Sequence, residues 1–117
     1  MNALLRSEVL AVPANAGPLD DGKAAYERGD YATALRLFRP LAEQGDSTAQ
    51  HNLGIMYVNG LGVAQDYAQA YMWLSLAVAA GAGGARENRL EVAKRMTPDQ
   101  FADAQRMARE WMAKHQR

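Results

Sequence analysis

Four residues recur at one fixed interval: Tyr31 as Tyr67, Ala34 as Ala70, Gly45 as Gly81 and Ala49 as Ala85, each pair 36 positions apart. Around them, Asp30-Tyr31-Ala32-Thr33-Ala34 aligns with Asp66-Tyr67-Ala68-Gln69-Ala70. Upstream, Tyr26-Glu27-Arg28-Gly29 aligns with Tyr57-Val58-Asn59-Gly60. The second copy then carries five extra residues, Leu61-Gly62-Val63-Ala64-Gln65, before its aspartate. A period in the thirties, with small and aromatic residues at fixed points, belongs to chains built from stacked helical hairpins. One such hairpin cannot bury its apolar face alone, so the period constrains this chain of 117 residues to a short stack of helices.

Local signals agree with that constraint. Asp30 is placed to N-cap a helix over 31–44, with Tyr31, Ala34, Leu35, Phe38, Leu41 and Ala42 on one face and Gly45 at the position after its end. Pro40 lacks a backbone donor, which predicts a kink. Ser47-Thr48-Ala49-Gln50 has capping-box form, with Ser47 as the cap of a helix over 47–59. Asp66 caps a helix over 67–80 that is apolar nearly all round, which predicts a central position. A helix over 84–95 follows. Thr97-Pro98-Asp99-Gln100 combines a capping box with proline at the first helical position, and Met96 and Phe101 are spaced as a hydrophobic staple. Phe101, Ala104, Ala108 and Trp111 then share a face of a helix over 98–115, with Met107 and Met112 beside it. Together with a helix over 20–28, the expectation is an all-α chain of about six helices. No segment alternates as a strand.

Composition removes several chemistries. The chain has no cysteine, which excludes disulfides, thiol catalysis and cysteine-based zinc sites. Thirteen basic and thirteen acidic residues balance, so the simplest electrostatic case for nucleic acid or an anionic membrane is missing. No stretch is apolar for long enough to span a bilayer. The balance hides a gradient. Residues 1–81 hold five basic and eight acidic side chains, and residues 82–117 hold eight basic and five acidic ones. A solvated, arginine-rich outer face of the last helix accounts for this, with a minor basic docking surface as the sharper reading.

Catalytic patterns are sought without success. His51 and His115 stand 64 residues apart with no carboxylate cluster beside either, so no metal or other cofactor is expected. None of Ser7, Ser47 and Ser75 lies in a Gly-x-Ser-x-Gly context. Gly81-Ala82-Gly83-Gly84 lacks the Lys-Ser/Thr of a phosphate-binding loop and reads as an inter-helix turn. Met56, Met72, Met96, Met107 and Met112 read as core filler. At the N-terminus, Ala14-Asn15-Ala16 has the small-x-small form of a signal-peptidase site, but Arg6, Ser7 and Glu8 interrupt the apolar stretch before it. Two readings of residues 1–18 stay open: a flexible tail, and the remnant of an export signal. Gly17-Pro18 marks where the folded part begins.

Over residues 42–80 the pattern Ala49-Gln50-x-Asn52-Leu53-Gly54-x-Met56-Tyr57, then Gly60-x-Gly62-Val63, then Asp66-Tyr67-x-x-Ala70 resembles a Sel-one-like repeat (SLR), a branch of the tetratricopeptide (TPR)-like superfamily. The resemblance implies a short α/α solenoid of antiparallel helical hairpins. It divides residues 19–117 into a partial repeat (19–45), a full repeat (46–81) and a degenerate capping unit (82–117) in which Arg89 replaces the repeat leucine. Gly54 and Ala70 are small where two helices must approach, Tyr57 and Tyr67 pack near them, and Gly60 and Gly62 supply unusual backbone angles.

The function implied is non-catalytic: a module that binds a protein or peptide segment in a concave groove, with neither nucleic acid nor membrane insertion involved. A regulatory or inhibitory protein acting on an enzyme, and a self-associating structural subunit, are the alternatives. The first helix of each hairpin lines the concave side in this superfamily. That places Thr48, His51, Asn52, Ile55 and Asn59 on the groove, continued by Glu87, Asn88 and Glu91. Asn52 matches the asparagine of the family motif, and its amide suits the backbone of an extended peptide. The two glutamates would favour a basic partner segment. Proteins of this layout often resemble exported bacterial ones, which inclines the location to the periplasm over the cytoplasm.

Overall fold

The computed structural model describes residues 17–115, and the two readings of the N-terminal segment concern residues that, up to position 16, lie outside this range. Within the described residues six helices follow one another: α1 (Pro18–Glu27), α2 (Tyr31–Glu43), α3 (Ser47–Asn59), α4 (Tyr67–Ala79), α5 (Ala85–Ala93) and α6 (Pro98–His115). Among the described residues there is no strand, and no helix is long and apolar enough to cross a membrane. The all-helical solenoid expected from the repeat is what the chain forms. Successive helices pack on one another, α1 on α2, α2 on α3 and α3 on α4, while α5 and α6 both rest on α4. The apolar α4 is therefore central, as its lack of a polar face requires.

Three aspartates one step before a helix set the phase. The side chains of Asp30, Asp46 and Asp66 each accept from the backbone N–H three residues on, Thr33 at 3.3 Å, Ala49 at 2.8 Å and Gln69 at 3.1 Å. The expectation of a Ser47 cap is thereby corrected. A carboxylate one residue earlier takes the role because it accepts more strongly and complements the positive end of the helix. Gln50 then cannot reach back as a box residue. It is buried instead, and its Nε2 donates to the Ala42 carbonyl of α2 at 3.1 Å. Thr97 and Gln100 do form the reciprocal box, at 3.1 and 2.9 Å. α1 starts two residues earlier than expected because Pro18 is itself a good first helical residue. α2 continues through Pro40 to Glu43.

The core runs through the stack. Ala25, Phe38, Leu53, Met56 and Trp73 belong to one buried cluster, and Val58, Ala70, Leu74 and Val92 form a second on the α5 side. Full burial of a side chain such as Phe38 is worth about 1.5–3 kcal/mol. Two glycines let the helices of a hairpin come together. A Cβ at Gly54 of α3 would sit 2.8 Å from Leu74 Cγ, and one at Gly22 of α1 would sit 2.6 Å from the Phe38 ring. In the connection after α3, Gly60 and Gly62 have φ of +68° and +73°, and the Tyr31 carbonyl lies against Gly62.

α6 closes over α4 and α2. Phe101 meets Tyr71 with ring centroids 5.0 Å apart, and Trp111 meets Trp73 edge-on at 6.2 Å. The Trp111 indole donates to Glu43 of α2 at 3.3 Å, and the His115 ring stacks on Trp111 at 3.7 Å. Met112 is corrected from core filler to an exposed residue, because the docked face of α6 turns past it.

Two sets of substitutions test these contacts. Asp46→Ala costs about 1 kcal/mol in urea unfolding, while Ser47→Ala stays within about 0.5 kcal/mol. Gly54→Ala, despite the gain in helix propensity, costs about 1–2 kcal/mol because Leu74 is fully buried and cannot retreat. Combining it with Leu74→Ala costs less than the sum of the two single changes, with a coupling above about 0.5 kcal/mol in a double-mutant cycle.

Candidate functional site

The first helices α3 and α5 carry the residues assigned to the groove. Leu53, Gly54 and Met56 of α3 point into the core, which leaves Thr48, His51, Asn52 and Ile55 half-buried and Asn59 exposed. These residues divide between two places. Asn52 faces α1, where it lines a cavity of about 160 Å³ with Lys23, Tyr26, Glu27 and Phe38. His51 faces α5: its Nε2 lies 2.7 Å from Nδ2 of Asn88. The contact joins two of the expected residues that are 37 positions apart in the chain.

The remaining groove residues are placed more loosely. Ile55 packs against the second core cluster. Asn59 turns its amide back to the Ile55 carbonyl of its own helix at 3.3 Å. Glu87 and Glu91 are exposed, and Glu91 pairs with Lys94 at 3.1 Å. Part of the negative charge expected on α5 is thus answered within the helix. Lys23, Tyr26 and Glu27 were not named from the sequence. The repeat alignment of Tyr26 with Tyr57 held the signal, since whatever lies on α3 has a counterpart on α1.

The chemistry of this surface is that of hydrogen bonding and side-chain contact. An ammonium, a carboxylate, a phenol and an amide converge on one small cavity, which therefore presents donors, acceptors and both signs of charge. Elsewhere on α3, the Tyr57 hydroxyl accepts from Arg39 of α2 at 2.9 Å. Among the described residues no three of His, Asp and Glu gather as a metal site.

The His51 Nε2 and the Asn88 amide lie within hydrogen-bonding distance, 2.7 Å, with the direction of the bond following the imidazole tautomer. Burial lowers the His51 pKa below its ordinary 6.5. A proton therefore binds the unfolded chain more readily than the folded one. The contribution is neutral above the unfolded value and becomes destabilising as pH falls through it. Urea unfolding at pH 7.5 and at pH 5 should show wild type losing more stability than His51→Gln over this interval. Equal losses would remove His51 from the pH dependence.

Comparison with known proteins bears on the whole arrangement. The Sel1 repeat family model matches residues 17–46 and 47–81, which are the hairpins α1–α2 and α3–α4. Among solved structures, the crystal structure of c5321, a protective antigen present in uropathogenic Escherichia coli strains and displaying an SLR fold, is similar at a TM-score of 0.78 and 32% identity. The match covers 84% of this chain and 22% of that one, so the chain spans about a fifth of that relative's length. No curated protein matches the sequence. Two adjoining repeats over more than half of the sequence, on helices that superpose on an SLR protein, show that this chain belongs to the Sel1 repeat family.

Proposed function

We propose that the chain is a non-catalytic interaction module that takes an extended segment of a protein partner across its first helices, α1, α3 and α5. Sel1 repeats generally mediate protein–protein interaction, and a fold of this kind is typically a module without catalysis of its own. The observation that carries the finer reading is the cavity where Asn52 meets Lys23, Tyr26 and Glu27. It lies between successive first helices, and the His51–Asn88 contact supports a continuation of the same surface onto α5. In this reading residues 19–45 and 46–81 are a partial and a full repeat. Residues 82–117 are a degenerate unit that caps the second core cluster through Val92 and Met96.

Immobilised wild-type protein, used as bait in a bacterial extract and followed by mass spectrometry, supplies the partner. The double variant Asn52→Ala with Glu91→Lys is then assayed against that partner by titration. Affinity should fall at least tenfold, about 1.4 kcal/mol, with unchanged helicity. A variant that keeps its helicity and binds at wild-type strength moves the contact off the first helices. Capture of an enzyme whose activity falls on binding, or of this chain alone, would favour a regulatory or a self-associating role.

A further inference from the structure

The third pair of helices does not close as the first two do. α5 and α6 both pack on α4 and scarcely on each other. Between them lies a cavity of about 310 Å³, floored by Tyr71 and Ser75 of α4 and walled by Arg89 of α5 and by Gln105, Ala108 and Arg109 of α6. The repeat register accounts for the gap. Arg89 stands 36 residues after Leu53, which is fully buried in α3. A guanidinium in the place of a core leucine cannot be sealed in a dry contact, so it stays half-buried beside an open space.

Arg89 is held where it is. Its Nη1 donates to Ser75 Oγ at 3.3 Å, and its Cζ lies 5.7 Å from the centre of the Tyr71 ring. Arg109 brings a second guanidinium to the same cavity from α6. Among the described residues neither arginine pairs with a carboxylate, whereas Arg28, Lys94 and Arg106 each do. None of the lining residues is acidic. Two cations at one cleft without a counter-charge attract an anion. Their planar forks match a carboxylate two oxygens at a time. The Tyr71 ring and the Ala104 and Ala108 methyls give the cleft an apolar side as well, which suits a carboxylate on a carbon stem better than a bare ion.

We propose that this cleft is a second binding site, distinct from the first-helix surface, that takes the carboxylate of an acidic segment of a protein partner. Arg89 and Arg109 grip the carboxylate, and Ser75 and Gln105 offer further hydrogen bonds. The stem of the acidic residue lies against Tyr71 and Ala108.

The test is a nuclear magnetic resonance titration of the full chain with three probes: an amidated octapeptide of alternating Glu and Gly, its Gln counterpart, and inorganic phosphate. The Glu peptide should give saturable shifts centred on Ser75, Gln105 and the Nε–H groups of Arg89 and Arg109, weakening as salt rises. The Gln peptide should give none. Arg89→Leu, which restores the repeat residue, and Arg109→Gln should each weaken binding at least tenfold. Arg106→Gln, on the same helix but paired with Asp103 and Glu110, should change it less than twofold. Arg109 is exposed, so its variant keeps the test valid even if Arg89→Leu perturbs folding. Absence of saturable Glu-peptide binding at millimolar concentration overturns the proposal. So does equal binding of the Gln peptide, tighter binding of phosphate than of the Glu peptide, or an equal loss in Arg106→Gln.

Discussion

The contact between Gly54 of α3 and Leu74 of α4 governs how the rest of the stack can pack. A leucine side chain occupies the volume where any Cβ would stand, and the Ala70 carbonyl closes in behind it at 3.3 Å. The two helices therefore lie nearer than side chains on both would permit. Gly22 and Phe38 repeat the arrangement in the first hairpin, with the large residue again on the second helix. The remaining bulk, Met56 and Trp73, is buried in the same cluster as Phe38, so one core serves both hairpins. The sides of α3 that look away from this cluster carry mostly polar side chains.

The period and the cap aspartates Asp30 and Asp66 made the architecture legible. Both are local properties: a side chain that can reach the third N–H after it reaches it whatever the tertiary context. Assigning the α3 cap to Ser47 failed because two capping patterns overlap by one residue, and which one wins depends on relative strength rather than spacing. Gly22 went unread since no second glycine stands 36 residues on, and only the ring of Phe38 in space reveals its purpose. The candidate surface was half legible. A helical wheel shows which side of α3 points away from Leu53, but not that Asn52 leans to α1 while His51 leans to α5. That division is set by how three hairpins are offset, which no single helix encodes.

Charge is distributed in keeping with this geometry. The first-helix surface offers both signs in one place, Lys23 and Glu27 beside an amide. The cleft over α4 offers one sign only. Part of the positive excess of residues 82–117 gathers at this cleft as Arg89 and Arg109. Lys94 pairs with Glu91, and Arg106 with Asp103 and Glu110, whereas among the described residues neither Arg89 nor Arg109 pairs with a carboxylate. A chain with zero formal net charge can in this way keep one locally unbalanced region.

The tie from Trp111 to Glu43 spans 68 residues, whereas nearly every other packing contact joins helices adjacent in the stack. Short-range contacts form quickly because little chain entropy is lost in closing the loop between them. A contact across four intervening connections gains nothing until the hairpins it bridges already exist. On grounds of chain entropy the tie to α2 is expected to form late, so that strengthening it slows unfolding more than it speeds folding. Stacking of His115 on Trp111, with Glu43 3.7 Å from the imidazole, ties the last turn of α6 into that same long-range contact.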